Sequence, residues 1–237
     1  MGTRAFFKDG FLAKKRLGLG GCVVKWNTKA VPPGCLKAAR VLAPLRCLDA
    51  FYLAGGTALA LTYGHRLSVD LDFFSPTNPL GLMERPAVLE SLRSAGAEIE
   101  EEKDGTLHAR LRGTHISFFR YRYPLLRGLR RWGHLRVAHP VDIGLMKLGA
   151  IIGRGSRKDF VDLYVILKEE MDLPRLLRLA PKKFPGSRDF RVQALRALVY
   201  FADADQEPDL RLPPTLSWPG IKRFFENEVR SLSQTFR

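Results

Sequence analysis

Leu53-Ala54-Gly55-Gly56-Thr57-Ala58-Leu59-Ala60-Leu61 and, shortly after it, Ser68-Val69-Asp70-Leu71-Asp72-Phe73-Phe74 carry the reading of this chain. Phe51-Tyr52-Leu53-Ala54 is a short apolar strand that Gly55-Gly56 stops, and Thr57 to Tyr63 then starts a helix after a turn that glycines make at low cost. Ser68 to Phe74 alternates like a strand and ends at Ser75-Pro76-Thr77-Asn78-Pro79. The strand period of two sets Asp70 and Asp72 on one face, with Leu71 and Phe73 on the other. Two such carboxylates repel unless a cation lies between them, and a hard divalent ion that also binds phosphate suits them. Gly55-Gly56-Thr57 leaves helix N-terminal amides open to an anion, with the Thr57 hydroxyl as a further donor. A phosphate cradle next to a metal-binding carboxylate pair describes a nucleoside-triphosphate site.

Working outward, a helical pattern covers about 36 to 49 with Pro44 bending or interrupting it, and a further helix covers 82 to 95. Strand candidates follow near 97 to 102, 106 to 112 and 115 to 123. From Val141 the period becomes 3.6, with helices expected at 141–153, 157–169, 173–181, 188–203 and 219–233, separated by prolines. The fold class is therefore α+β, a mixed sheet followed by a helical lobe. Three segments are expected: a basic arm over 1–34, a core lobe over 35–140 and a helical lobe over 141–237.

The 237 residues include 39 Lys and Arg against 24 Asp and Glu, a net charge of +15, which points to an anionic partner. Residues 1–48 hold ten of the basic residues and one acid, Asp9, so the arm reads either as a freely moving basic tail or as an RNA contact. No signal-peptide apolar core is present, and the apolar stretch Phe51–Leu61 is far shorter than the roughly 20 residues of a membrane span. A cytoplasmic protein without a membrane partner is the expectation. Cys22, Cys35 and Cys47 have neither disulfide nor zinc spacing and are expected as reduced thiols, Cys47 packed on a helix face.

No acid occurs from Gly105 to Val141, a stretch with eight arginines interleaved with aromatic residues. In Phe119-Arg120-Tyr121-Arg122-Tyr123 the alternation sends rings to one face and guanidiniums to the other. Either the arginines are ordinary solvated charges or, with Arg127, Arg130 and Arg131, they line an RNA backbone, which planar guanidiniums bind bidentately.

The stretch from Leu53 to Ser75 resembles the AbiEii (MenT-like) nucleotidyltransferase toxins of the DNA polymerase β superfamily. A second block, Lys147-Leu148-Gly149-Ala150 with Arg154 and Arg157-Lys158-Asp159-Phe160-Val161-Asp162-Leu163-Tyr164, is similar to that family's later lysine and acidic motifs, so the resemblance covers about residues 36–170. It implies a polymerase-β-type nucleotidyltransferase lobe with Asp70 and Asp72 as ligands of Mg²⁺ or Mn²⁺. Ser68 stands at the family's active-site hydroxyl, and Asp159 or Asp162 at its late acid. Gly55, Gly56, Thr57, Arg66, Lys147 and Lys158 are the residues it assigns to the NTP. Read by themselves, Asp159 fits a capping box with Ser156, Lys158 and Asp162 an i, i+4 pair, and Arg66 a solvated turn.

The polymerase-β pattern supplies a third carboxylate from a later strand; here His115-Ile116-Ser117-Phe118-Phe119 sets Ser117 in that place. The reaction expected from the resemblance is transfer of a nucleoside monophosphate from NTP to RNA, the tRNA 3′ end foremost, in a toxin with a cognate antitoxin. The alternatives are nucleotidylation of a protein side chain and a non-catalytic nucleotide- or RNA-binding relic of the fold.

Overall fold

The computed structural model describes residues 24–234, so most of the basic arm, and Cys22, lie outside the described residues. The chain divides into two compact units. Of the described residues, the first holds those from residue 24 to Pro124 together with Gly128–His139, and the second holds Leu125–Arg127 and those from Pro140 onward.

The first unit is built on a seven-stranded mixed sheet. Its strands are β1 (Tyr52–Leu53), β2 (Leu71–Ser75), β3 (Glu98–Lys103), β4 (Thr106–Leu111), β5 (Thr114–Arg120), β6 (Arg130–Trp132) and β7 (Leu135–Val137), in the order β3-β4-β5-β2-β1-β7-β6. The β2–β5 and β1–β7 pairs are parallel and the rest antiparallel. Leu71, Phe73, Ile116, Phe118, Leu107 and Ala109 are completely buried, and the rings of Phe73 and Phe118 stack at 5.2 Å. Alternate residues on the same strands, Asp72, Phe74, His115, Phe119 and His108, are only half-buried. One face of the sheet is thus a core and the other is polar and accessible, the division that period two imposes. Helices α1 (Pro33–Leu42), α2 (Gly55–Tyr63) and α3 (Arg85–Ser94) pack against β5, β2 and β3.

The expected helix over 36–49 begins earlier and stops at Leu42, and residues 46–50 form a 3-10 turn. Pro32-Pro33 suits a helix start, whereas Pro44 lacks the N–H that would continue the helix. Cys47 accordingly sits in that turn, half-buried, and Cys35 is the buried thiol on α1; both are free. The strand expected over 115–123 ends at Arg120 because its partner β2 ends at Ser75, the residue opposite Arg120. The rings and guanidiniums of Tyr121, Arg122 and Tyr123 therefore do not alternate on a strand. The β6–β7 hairpin is absent from the sequence reading; Gly133-His134 is its two-residue turn, with Gly133 at φ 59°.

The second unit is helical: α4 (Pro140–Gly153), α5 (Arg157–Glu169), α6 (Leu173–Lys183), α7 (Phe190–Ala197), α8 (Ala202–Gln206) and α9 (Trp218–Gln234). The single helix expected at 188–203 is two, α7 and α8. Leu145, Leu148, Phe160, Leu163, Leu176, Ile221 and Phe225 are among the residues of its core. Asp142, in the first turn of α4, is completely buried and draws residues 125–127 into this unit. Its carboxylate accepts from the amides of Leu126 and Arg127, both at 2.9 Å, and from Lys183 Nζ at 2.8 Å. Burial pulls the Lys183 pKa down, against the attraction of Asp142.

Candidate active site

Helix α2 begins at Gly55 itself, so the glycine pair forms the first turn of the helix. Gly55 has φ +64°, a left-handed conformation that glycine adopts without strain. The Ala54 amide donates to the Asp72 carbonyl at 3.0 Å, which draws β2 against this turn. The approach is close enough that a Cβ on Gly55 would stand 2.7 Å from Asp72 Oδ2. A Cβ on Gly56 would run into the Arg66 guanidinium and stand 2.9 Å from Ser68 Oγ. Both glycines are therefore required by space, one by conformation as well, and they bring a helix N-terminus, a carboxylate and a guanidinium together.

Thr57 is buried, and its hydroxyl donates to the Asp70 carbonyl and lies 2.9 Å from Ser68 Oγ. That hydroxyl serves the protein, pinning the segment that leads into β2, rather than facing outward as a phosphate donor. Asp70 precedes β2 instead of lying within it, and both Asp70 and Asp72 are half-buried. Arg66 is buried, not a solvated turn residue, and Nη1 donates to the Leu67 carbonyl at 3.0 Å. Cys35 lies near enough to feel both aspartates: burial, then Asp70 and Asp72, push its thiol up to about 12. It is therefore a neutral, unreactive thiol at neutral pH.

The parallel β2–β5 register places Ser117 directly beside Asp72. Ser117 Oγ lies 3.0 Å from His108 Nδ1 on β4 and 3.5 Å from His115 Nδ1. Sequence reasoning passed over both histidines. The signal that finds them is the Arg112-Gly113 turn, with both residues at positive φ, from which the register of β4 on β5 can be counted back to His108 and Ser117.

Lys147, Asp159 and Asp162 meet within the helical unit. Lys147 Nζ bonds Asp159 Oδ1 and Asp162 Oδ2, each at 2.7 Å, and both carboxylates are fully buried. Ser156 precedes α5, but its hydroxyl donates to Asp159 Oδ2 at 2.7 Å instead of accepting an amide hydrogen, so the capping box does not form in its usual sense. Burial acts to raise the Asp159 pKa, and Lys147, Ser156 and Arg154 outweigh it, holding the group below the ordinary aspartate range. Lys158 is exposed, whereas Asp162 is turned inward to Lys147. Arg157 is buried within the same unit: its amide donates to Glu207, its guanidinium to the Ala204 carbonyl and Asp209, and it stacks on Trp218.

Of the arginines read as an RNA surface, Arg120, Arg122, Arg127 and Arg131 are exposed. Arg130 is half-buried, with Nη2 3.0 Å from His139 Nε2.

The family model of the AbiEii nucleotidyl transferase toxin of type IV toxin–antitoxin systems matches residues 40–131. That span contains the glycine turn, both aspartates and Ser117, and it ends before Lys147, so the second sequence block lies outside it. The protein aq_aa25 of Aquifex aeolicus is 40% identical over 188 residues, covering 78% of this chain and 88% of its own. Among solved structures, the MenT4 nucleotidyltransferase toxin of Mycobacterium tuberculosis is 18% identical, with TM-score 0.48 over 84% of this chain and 86% of that one. JHP933 of Helicobacter pylori is 19% identical, with TM-score 0.44 over 87% and 97%. With the family's signature falling on the stretch that builds the glycine turn and the carboxylate pair, this chain belongs to the AbiEii nucleotidyl transferase toxin family and is a nucleotidyltransferase.

Proposed function

We propose that the first unit is a divalent-metal-dependent site that transfers a nucleoside monophosphate from NTP to RNA, the tRNA 3′ end being the acceptor expected from the sequence. The observation that carries this reading is the contact of Gly55 with Asp72. It sets the Asp72 carboxylate against the open amides of a helix N-terminus, with Arg66 over the next residue. Amides and guanidinium suit a polyphosphate.

The donor set fits Mg²⁺. Asp70 and Asp72 would offer the ion two carboxylates; among the described residues no group of three or more His, Cys, Asp or Glu side chains could hold a metal. Mg²⁺ is commonly bound through one or two carboxylates, with waters and substrate phosphates completing its shell. Asp70 and Asp72 would hold it, and it would supply neutralisation of phosphate charge. Gly55 and Gly56 amides would orient the polyphosphate, and Arg66 would balance charge on it. Thr57 and Ser68 keep the Asp70 segment in place.

RNA as acceptor is supported by the exposed arginines of the first unit and by the absence of acids from Gly105 to Val141. Membership of a toxin–antitoxin family supports a cognate antitoxin protein as partner. The test is incubation with each labelled NTP, Mg²⁺ and total RNA, with NTP-induced thermal stabilisation measured in parallel. Label should appear in RNA. Changing Asp70→Asn together with Asp72→Asn should leave the fold intact and remove both the Mg²⁺-dependent stabilisation and the label. Label in protein would replace the acceptor, and binding without pyrophosphate release would mark a relic.

A further inference from the structure

A row of polar side chains crosses the accessible face of the sheet, and the nucleotide site uses only its first member. The strand registers align Asp72 on β2 with Ser117 on β5, Ser117 with His108 on β4, and His108 with Glu101 on β3. Ser117 Oγ and His108 Nδ1 are 3.0 Å apart, and Glu101 Oε2 lies 3.6 Å from His108 Nε2, within ion-pair range. Ser117 is 3% exposed, whereas the His108 side chain keeps 23%, so a proton arriving at the ring can leave to solvent. His115 stacks on His108 at 5.2 Å, and its Nε2 is 3.2 Å from Glu100, which also binds Arg110 Nε at 2.6 Å. The edge of Phe119 closes the remaining side of the ring, at 5.6 Å.

A carboxylate pair binds cations but leaves the acceptor's proton without a destination. Resting on the nucleotidyl-transfer reading above, we propose that Ser117 and His108 form a proton relay at the edge of Asp72. The acceptor O–H gives its proton to Ser117 Oγ as the Ser117 proton passes to His108 Nδ1. The acceptor oxygen bonds to the α-phosphorus, the bond from that phosphorus to its bridging oxygen breaks, and pyrophosphate leaves with the electron pair. Glu101, facing Nε2 from β3 and itself paired with Lys103, favours the tautomer with Nδ1 open to accept. Asp72 flanks Ser117 from β2, Glu100 acts through His115, and Arg110 is held by Glu100. Ser117 is the group that touches the acceptor; His108 and Glu101 act through it.

The experiment measures kcat and KM for pyrophosphate release from the four NTPs with Mg²⁺ and total RNA between pH 5 and 9, alongside NTP-induced stabilisation. His108→Asn keeps a hydrogen-bonding atom near the Nδ1 position but cannot take the proton. It should lower kcat at least about tenfold, as loss of a positioned base does, and leave the NTP KM and the stabilisation unchanged. The acidic limb that an imidazole gives between about pH 5 and 8 should disappear. Adding Ser117→Asp to His108→Asn sets a carboxylate beside Asp72 and should recover kcat, with the limb moved to lower pH. Glu101→Gln, which leaves the Ser117 contact intact, should alter the limb without abolishing it. A pH profile unchanged in His108→Asn and Glu101→Gln overturns the relay, as does a fall in kcat that Ser117→Asp does not recover. If the unaltered protein neither gains stability with NTP nor releases pyrophosphate, the underlying reading fails and the relay with it; if it does both and His108→Asn matches it, the relay alone fails.

Discussion

Gly55 shows how one residue can join fold and chemistry. Its positive φ and its 2.7 Å clearance to Asp72 are separate demands, and alanine violates both. Gly55→Ala should cost about 1–2 kcal/mol from the left-handed backbone and, because Asp72 must retreat from the new Cβ, should also lower nucleotidyl transfer. Gly64 is the matched control. It too is left-handed, at φ +67°, but its Cβ would meet Asn27, 3.3 Å away, on the entry segment of the unit. Gly64→Ala should lower the melting temperature similarly and leave NTP-dependent stabilisation unchanged. Comparing melting curves with and without NTP and Mg²⁺ for the two variants checks the assignment.

Between elements, the buried triad of α4 and α5 sets its own pH dependence. With Lys147 in place, the folded pKa of Asp159 is depressed, so its contribution to stability is present in full above the ordinary aspartate value near about 4. It is lost as pH falls through the depressed one. Lys147→Met leaves two carboxylates, both fully buried, without their shared ammonium. Removing one partner of a buried pair costs about 3–5 kcal/mol, and here the loss should be worst at neutral pH. The sign then reverses: the paired carboxylates would have raised folded pKa values, so the variant should gain stability as the pH is lowered from 7 toward 5 while the unaltered protein does not. Chemical denaturation across that range measures the slope directly.

Over the whole molecule, the net charge of +15 and the exposed arginines of the first unit bear on the acceptor. If RNA lies along them, Arg120→Gln, Arg122→Gln and Arg131→Gln together should reduce the log–log salt slope of RNA binding by about 2–3, at roughly 0.7–0.9 per lost phosphate contact. NTP binding should hold. The comparison is made both in the full chain and in a chain beginning at residue 24, which removes most of the basic arm. A later start would cut into the fold, because the Asn27 amide bonds the Leu61 carbonyl, and Ala30 accepts from the Ser68 amide, at the base of the carboxylate segment. An unchanged slope in both chains would make these arginines ordinary solvated charges.

What the sequence determines by itself here is local. Period two in Leu71–Phe73, the glycines before Thr57 and the 3.6 period after Val141 report backbone conformation and which side of an element is apolar, and these depend on neighbours in the chain. They were enough for the α+β class and the glycine turn. Elements with little local signal were not legible: β6 and β7 are three residues each, and even the alternation of Leu135-Arg136-Val137 is too short to stand out as a strand. The tertiary structure alone decided where polar side chains terminate. Lys147 is turned onto two aspartates 12 and 15 positions away, Asp142 gathers two amides and a lysine from both sides along the chain, and Thr57 is spent on the Asp70 carbonyl. A buried charge or hydroxyl must find a partner at hydrogen-bond distance wherever the packing brings one, and that partner follows from the register of strands and the docking of helices rather than from spacing along the chain.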